Sequence, residues 1–148
     1  MTSAYISEWQ KRKRYAGALL AATESPLESI LLSALLAASD AERGYFFTER
    51  GAHQLVAQHP IGRHRADFAV LSFVRMVAIE VDSVEFHGSV EQKAAALLRA
   101  RDIESFGWEV LSFEGPDVSR SPRECARAAR RHIMQPALLA TGAERVEA

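Results

Sequence analysis

The sequence is poor in cysteine, which limits how the chain can be stabilised. Cys125 is the only cysteine among 148 residues, so no disulfide can form within the chain. One thiol and five histidines also fail to provide a four-ligand zinc pattern at the usual spacing. These absences exclude a disulfide scaffold and a zinc finger. A reducing compartment fits, so we expect a cytoplasmic protein.

Long apolar runs, internal repeats and low-complexity tracts are also absent. The stretch YAGALLAA, which follows the basic run KRKR near the start of the chain, is too short to cross a bilayer. A signal peptide is the alternative interpretation of this segment. We expect no membrane-spanning segment.

An excess of charge of one sign is absent as well, because the net charge is −1 at pH 7. This balance excludes a uniformly basic nucleic-acid-binding surface, so phosphate contacts would have to come from local patches. Two such patches exist, and each is also explained as a solvated helix face. The first has Lys11, Arg12, Lys13 and Arg14 between Trp9 and Tyr15, and the second has Arg127, Arg130, Arg131 and His132.

The length and the hydrophobic content of 48% suit one domain with a single core. A helical pattern covers residues 4–22. A second helix is expected to begin after Ser25, with Pro26 at its first position and Glu28 three residues after the cap. We expect three segments, namely a basic helix at 1–23 appended to the core, a core domain at 24–135 and a flexible tail at 136–148.

Apolar alternation predicts three successive strands, the first stopped by Pro60 and Gly62 and the other two joined by a brief turn. Strands joined so closely pair antiparallel. A helix ending at Gly107 then leads to the strand WEVLSF, which predicts a parallel crossover, and a last helix begins after Ser121. The order helix, strand, strand, strand, helix, strand, helix indicates an α/β domain whose mixed sheet is flanked by helices.

Two carboxylates stand at the end of the predicted core strand in MVAIEVDSVEFHG. Glu80 and Asp82 lie on one face of this strand, away from its buried valine and isoleucine side chains. A tight hairpin centred between residues 73 and 74 places Asp67 across from Glu80. Like charges in this register repel each other, so a cation is expected, and oxygen ligands suit Mg²⁺ or Mn²⁺. The sequence therefore predicts a site of three carboxylates that could hydrolyse phosphodiesters with a metal.

The segments ESPLE, IGRHRADF, VAIEVDSVEFHG and FGWEVLSFEG follow one another over about residues 24–133. Together they resemble the very-short-patch-repair-like branch of the PD-(D/E)XK endonuclease superfamily. The resemblance implies a restriction-endonuclease-like three-layer core, metal-dependent cleavage of DNA, and Mg²⁺ (or Mn²⁺) as the cofactor. DNA is then the expected partner. Cutting both strands would need a homodimer, a protein partner or two nicking events.

The resemblance also implies roles for individual residues. Asp67 matches the metal-binding aspartate of the motif and Glu80 its second acid, and the carbonyl oxygen of Val81 would be a third metal ligand. Further catalytic positions match Glu28, Asp82 and His87. Contacts to the substrate are expected from Gln92, Lys93 and Arg99. Glu28 is equally explained as the acid of a helix cap, and His87 as a loop histidine without a role.

The sequence also departs from the family pattern. Ala66 replaces the proline of the motif, and Ser83 stands where relatives commonly have glycine. Ala96 and Ala100 occupy positions where relatives often carry acids. The leading hypothesis is a DNA endonuclease, and these departures motivate an alternative. It is a catalytically weakened nuclease-fold protein that binds nucleic acid or a protein partner in a larger DNA-processing or defence assembly. Hydrolysis of a small phosphate ester is a third interpretation.

Overall fold

The structure is a computed structural model, and it describes residues 2–40, 45–82 and 89–136. These residues form helices and strands in an order that matches the sequence-based prediction, with one short helix in addition. The elements are α1 Thr2–Ala22, α2 Pro26–Asp40, β1 Gln54–Ile61, β2 His64–Leu71, β3 Met76–Asp82, α3 Val90–Glu104, β4 Glu109–Glu114, α4 Gly115–Arg120 and α5 Pro122–Met134. The additional helix is α4, whose six residues are too few to show a helical period in the sequence.

The strands form one mixed sheet in the order β1, β2, β3, β4. β2 pairs antiparallel with β1 and with β3, whereas β3 and β4 pair parallel and are connected through α3. The predicted antiparallel hairpin and the predicted parallel crossover are both confirmed. The chain is thus an α/β protein with a mixed sheet flanked by helices. None of the helices in the described part of the chain is both long and apolar enough to cross a membrane.

The first strand differs from its prediction. The sequence predicts a stop at Pro60, whereas β1 continues through this residue to Ile61, with Pro60 opposite Arg65 of β2. Proline has no amide proton to donate to a neighbouring strand. It is tolerated here because β1 is an edge strand of the sheet, so one side of its backbone has no strand partner.

One face of the sheet is covered by α2 and α5. The strands contribute Phe68, Val70, Val77 and Ile79, each at most 1% exposed. The helices contribute Leu31, Leu32, Leu35, Ala126, Ala129 and Ile133, and α1 adds Leu19. Full burial of a large apolar side chain is worth about 1.5–3 kcal/mol, so this face holds the main core of the protein.

The other face of the sheet is covered by α3 and is packed with smaller side chains. Ala66, Ala69 and Ala78 lie under Ile103 and Trp108 in a second, smaller cluster. Within α3, only Ile103 is buried. The helix therefore lies over a shallow apolar layer, and the remaining space between it and the sheet contains polar groups.

Candidate active site

The acidic residues of β2 and β3 meet through the register of the hairpin. Phe68 and Ile79 are the last pair of the β2–β3 ladder, and the next residue along each strand, Asp67 or Glu80, lines the same cavity. The amide of Val81 donates a hydrogen bond of 2.8 Å to Asp67 Oδ2. Residues of α3 line this cavity as well, so both carboxylates lie on the α3 side of the sheet.

These carboxylates line a cavity of about 320 Å³ between the sheet and α3. The strands contribute most of its walls and the helix contributes small side chains and one cation. The lining residues are Asp67, Glu80, Val81, Asp82, Ala96, Arg99, Ala100, Val110 and Ser112. Ala96, Ala100 and Ser112 are short, and this leaves the space that longer side chains would fill.

Asp67 is the carboxylate most affected by its surroundings. Desolvation by burial raises the pKa of Asp67 from 3.8 to about 6. The hydrogen bond from Val81 lowers this pKa, the carboxylates of Glu28 and Glu80 raise it, and Arg99 lowers it. The surroundings of Asp67 thus disfavour its charged form, and an additional positive charge nearby would stabilise that form.

The cation that the sequence requires near this acidic pair is Arg99. Its Nη2 atom lies 2.9 Å and 3.0 Å from the two carboxylate oxygens of Glu80, and the Glu80 side chain is only 14% exposed. The same guanidinium donates to the carbonyl oxygen of Arg65 at 3.2 Å. The sequence predicts a contact of Arg99 with the substrate, and in this structure the guanidinium neutralises one of the two acids.

His64 and Asp102 extend this network, and the sequence-based prediction assigns neither of them to the site. Arg99 Nη1 lies 3.2 Å from His64 Nδ1, and His64 Nε2 lies 2.7 Å from Asp102 Oδ2. A guanidinium only donates, so Nδ1 accepts and Nε2 carries the proton that is shared with Asp102. Asp102 follows Arg99 by three residues on α3, a spacing that puts both side chains on one face of the helix. This spacing was the available signal, whereas the contact with His64 was not visible in the sequence.

Glu28 lies close enough to raise the pKa of Asp67, but it does not line the cavity. It is buried at the start of α2, where its carboxylate accepts from the Glu24 amide at 3.2 Å and from Gln58 Nε2 at 2.9 Å. Ser25 Oγ in turn accepts from the Glu28 amide, which supports the cap predicted from the sequence. The structure therefore gives Glu28 a capping role beside the acidic pair.

Gln58 is another residue that the sequence-based prediction does not assign to the site. It lies in β1 between Ala57 and His59, whose partners flank Asp67 in β2. Its φ of 51° is in the left-handed region, which non-glycine residues rarely adopt. Backbone strain of this kind persists only where surrounding contacts hold it, and here the hydrogen bond to Glu28 is such a contact.

Of the remaining predicted residues, some line the cavity and others lie outside it. Asp82 lines the cavity and is exposed to solvent. Gln92 and Lys93 are exposed in the first turn of α3, outside the cavity lining, and Gln92 forms a reciprocal cap with Ser89. Two hydrogen bonds of 3.0 Å and 3.1 Å make this cap. His87 and Ser83 lie outside the described residues.

The groups that could hold a metal ion are the carboxylates of Asp67 and Glu80 with the carbonyl oxygen of Val81. They are oxygen donors, which suit Mg²⁺ or Mn²⁺. Within residues 2–40, 45–82 and 89–136, no three acidic, histidine or cysteine side chains are grouped closely enough to hold a metal. The donor chemistry of these oxygen atoms fits a hard cation.

No protein-family model matches this chain, and neither a curated protein nor a solved structure is significantly similar to it. The α/β class and the four-stranded mixed sheet therefore rest on the structure itself. Membership of the PD-(D/E)XK superfamily and the restriction-endonuclease-like core stay predictions.

Proposed function

We propose that the protein is a divalent-metal-dependent endonuclease that hydrolyses phosphodiester bonds in DNA, in the reducing cytoplasm that its single cysteine suits. The observation that carries the proposal is the juxtaposition of Asp67 and Glu80 on neighbouring strands in one cavity. Asp67 is half-buried, and its amide donor from Val81 fixes the carboxylate in place. Two adjacent carboxylates in a shielded cavity are a costly arrangement for stability, which favours a functional reason for it.

Asp67 and Glu80 would hold Mg²⁺ or Mn²⁺ together with the Val81 carbonyl oxygen. When bound, such an ion polarises a phosphoryl oxygen and lowers the pKa of a coordinated water. The protein contributes the placement of the two carboxylates through the β2 and β3 ladder. Asp82, at the same cavity, adds negative charge at the exposed end of β3.

Arg99 would have two successive partners in this function. In the structure it neutralises Glu80, and it is anchored by His64 and by the Arg65 carbonyl. If a metal ion were to neutralise Glu80, the guanidinium would be able to donate to a phosphate oxygen at the same cavity, since phosphate accepts the same paired hydrogen bonds as a carboxylate. The role in substrate binding that we predict for Arg99 therefore requires it to leave Glu80.

Cleavage of supercoiled plasmid with Mg²⁺ or Mn²⁺ tests the proposal. Asp67→Asn and Glu80→Gln each remove one metal ligand without a large change in volume, and we expect a loss of at least about 100-fold in rate, the usual cost of removing a group that stabilises charge in the transition state. Asp117→Asn is the matched control, because this exposed carboxylate pairs only locally with Arg120. Calorimetric titration of Mg²⁺ without DNA should show weaker binding for the two site variants. Unchanged cleavage by both site variants contradicts the proposal.

The second candidate function is nucleic-acid or protein binding without catalysis. The observation in its favour is the ion pair of Glu80 with Arg99, which already satisfies one of the two acids. Ala96 and Ala100 also line the α3 wall of the cavity, at positions where the resemblance to the endonuclease superfamily leads us to expect acidic residues. Retained binding of DNA together with no detectable Mg²⁺ binding by calorimetry would favour this candidate over the endonuclease.

A further inference from the structure

A second and larger cavity lies beside α1, away from the acidic pair. Its volume is about 680 Å³, within the range of small-molecule sites in proteins. It is formed where the basic run of α1 meets the segment before β1. The lining residues are Glu8, Trp9, Lys11, Arg12, Tyr15, Tyr45, Thr48, Glu49 and Arg50.

Buried polar contacts fix the floor of this cavity. Arg12, whose side chain is 11% exposed, pairs with Asp40 and donates to the carbonyl oxygen of Phe47 at 2.7 Å. The Tyr15 hydroxyl lies within hydrogen-bonding distance of the carbonyl oxygens of Thr48 and Leu55. Burial raises the pKa of Tyr15 to about 12, so the hydroxyl remains a donor. These contacts hold α1 against the segment before β1, and the cavity is therefore formed in advance of any ligand.

The walls of the cavity carry aromatic rings that are open to solvent. Trp9 is 56% exposed and Tyr45 is 42% exposed. The Arg12 guanidinium lies 4.3 Å from the centroid of the Tyr45 ring, and Lys13 Nζ lies 4.9 Å from the Trp9 ring. Tyr45 also has a φ of 59°, a conformation that costs free energy for a non-glycine residue. Trp9 and Tyr45 thus present partly exposed rings, each next to a cation, at the wall of the cavity.

The charges around the cavity indicate what kind of ligand fits. Lys11 and Arg50 are balanced by Glu8 and Glu49, and Lys11 pairs with Glu8 at 3.2 Å. Such a balance does not favour a phosphate inside the cavity, but it suits a flat, uncharged heterocycle with its own hydrogen-bonding groups. Carboxylates can accept from the exocyclic amino groups of bases. Lys13 and Arg14 follow on the same helix at exposed positions, where they can meet phosphates.

We propose that this cavity binds an unpaired base of single-stranded nucleic acid, stacked on Trp9 and Tyr45, while the flanking phosphates contact the basic run of α1. Stacking on aromatic rings next to cationic side chains is how proteins hold single strands without sequence preference. The proposed site assigns a function to the basic run of α1, which the proposed endonuclease activity does not use.

The cavity and the acidic pair are separate sites. Tyr15 is bound to Leu55 of β1, and Leu55 pairs with Val70 of β2, three residues along the strand from Asp67. Three residues correspond to about 10 Å along a strand. α1 also packs with α2 on the large core, whereas Asp67 and Glu80 face α3. Binding at the cavity therefore does not depend on hydrolysis or on a metal.

Fluorescence anisotropy with short labelled oligonucleotides in the presence of EDTA tests the proposal. We expect Trp9→Ala and Tyr45→Ala each to weaken binding of single-stranded DNA about 5- to 150-fold, which is the size of one base stack. Trp9→Phe keeps an aromatic ring and should retain most of the affinity. Phe73→Ala is the matched control, because it removes a fully exposed aromatic ring at the β2–β3 turn, outside the cavity.

Three further measurements make the test decisive. In a Trp108→Phe background, Trp9 is the only tryptophan, and a stacked base should quench its emission. A single-stranded RNA of the same sequence distinguishes the two sources of the base, and binding of either strand through Trp9 supports the site. Equal affinity of wild type and both alanine variants, or binding of duplex as tight as that of a single strand, would overturn the proposal. Anisotropy in EDTA reports binding without hydrolysis, whereas plasmid cleavage reports the endonuclease, so failure of one proposal is distinguishable from failure of the other.

Discussion

The two faces of the sheet are packed in opposite ways. Towards α2 and α5, large side chains such as Phe68 and Ile79 are completely buried. Towards α3, the strands present alanines, and the helix itself exposes Leu97 and Leu98 at 53% and 65%. The large core occupies one side, while the cavity with the acidic pair occupies the other.

This difference has a physical reason. A close-packed apolar layer cannot accept ionised carboxylates, because their loss of water is not compensated. The alanines of this face are small, and α3 buries only Ile103 against them. Volume is therefore left for charged groups and for the arginine that neutralises one of them. The comparison therefore indicates that the α2 and α5 side provides stability, and the α3 side tolerates a site at some cost in stability.

Substitution in the large core should give the largest effect. Phe68→Ala removes a fully buried ring, and we expect a loss of about 3–5 kcal/mol in the free energy of unfolding, from lost burial and the cavity that remains. Leu98→Ala on α3 is the matched control and should change stability by less than about 0.5 kcal/mol, because this side chain is 65% exposed. Urea denaturation followed by circular dichroism measures both. Similar losses for the two variants would contradict the contrast between the faces.

Removal of the cation at the acidic pair should have an intermediate effect. Arg99→Ala leaves Glu80 without its guanidinium partner next to Asp67, and we expect a loss of about 2 kcal/mol, the scale of a hydrogen bond to a charged group. Arg127→Ala removes an exposed arginine whose pair with Glu124 is local, and should be nearly neutral. Mg²⁺ should restore part of the thermal stability of Arg99→Ala. An Arg99→Ala protein as stable as wild type would show that the α3 side does not need this cation.

The smallest effect concerns the charge of Asp67. Its pKa is raised to about 6 in the folded protein from 3.8, so the folded state holds the proton more tightly than the unfolded chain. This tighter binding of the proton stabilises the folded state fully below about pH 4, and the stabilisation is lost as the pH rises through about 6. Asp67→Asn can still accept from the Val81 amide but has no charge to desolvate. Above pH 7 we expect it to be more stable than wild type by about 1 kcal/mol, after allowance for solvent screening of a half-buried group.

The measurement for Asp67 is the free energy of unfolding across pH 4 to 8 in EDTA. The difference between Asp67→Asn and wild type should grow between about pH 4 and 6 and then remain constant. Asp117→Asn again serves as the control for an exposed carboxylate. A difference that is constant across this range would mean that burial on the α3 side does not raise the pKa of Asp67.

Much of the fold was accessible from the sequence, because the signals are local. The start of α2 at Pro26 and the start of α5 at Pro122 follow from cap and proline positions. The short turn before β3 dictates an antiparallel hairpin, and its register places Asp67 beside Glu80. Errors occurred where context decides, as at Pro60, whose tolerance depends on the edge position of β1.

The site was accessible only in part. Residue types and strand alternation suffice to select Asp67, Glu80 and Asp82, but the sequence does not indicate which cation meets them. The contact of Arg99 with His64 joins residues 35 positions apart in the chain, and a local sequence pattern does not indicate it. Gln92 caps α3 in the structure, and its predicted contact with the substrate stays a prediction. The roles of Mg²⁺ and of DNA stay predictions.

The sequence by itself determined the order of the elements and the pairing of the two acidic strands. These properties depend on side-chain periodicity and on turns of a few residues, and both act between neighbours in the chain. Only the tertiary structure decided that Arg99 neutralises Glu80, that Gln58 supports Glu28, and that α1 forms a cavity with the segment before β1. Such contacts join residues far apart in the chain, and their partners are selected by the packing of whole elements, which local patterns do not encode.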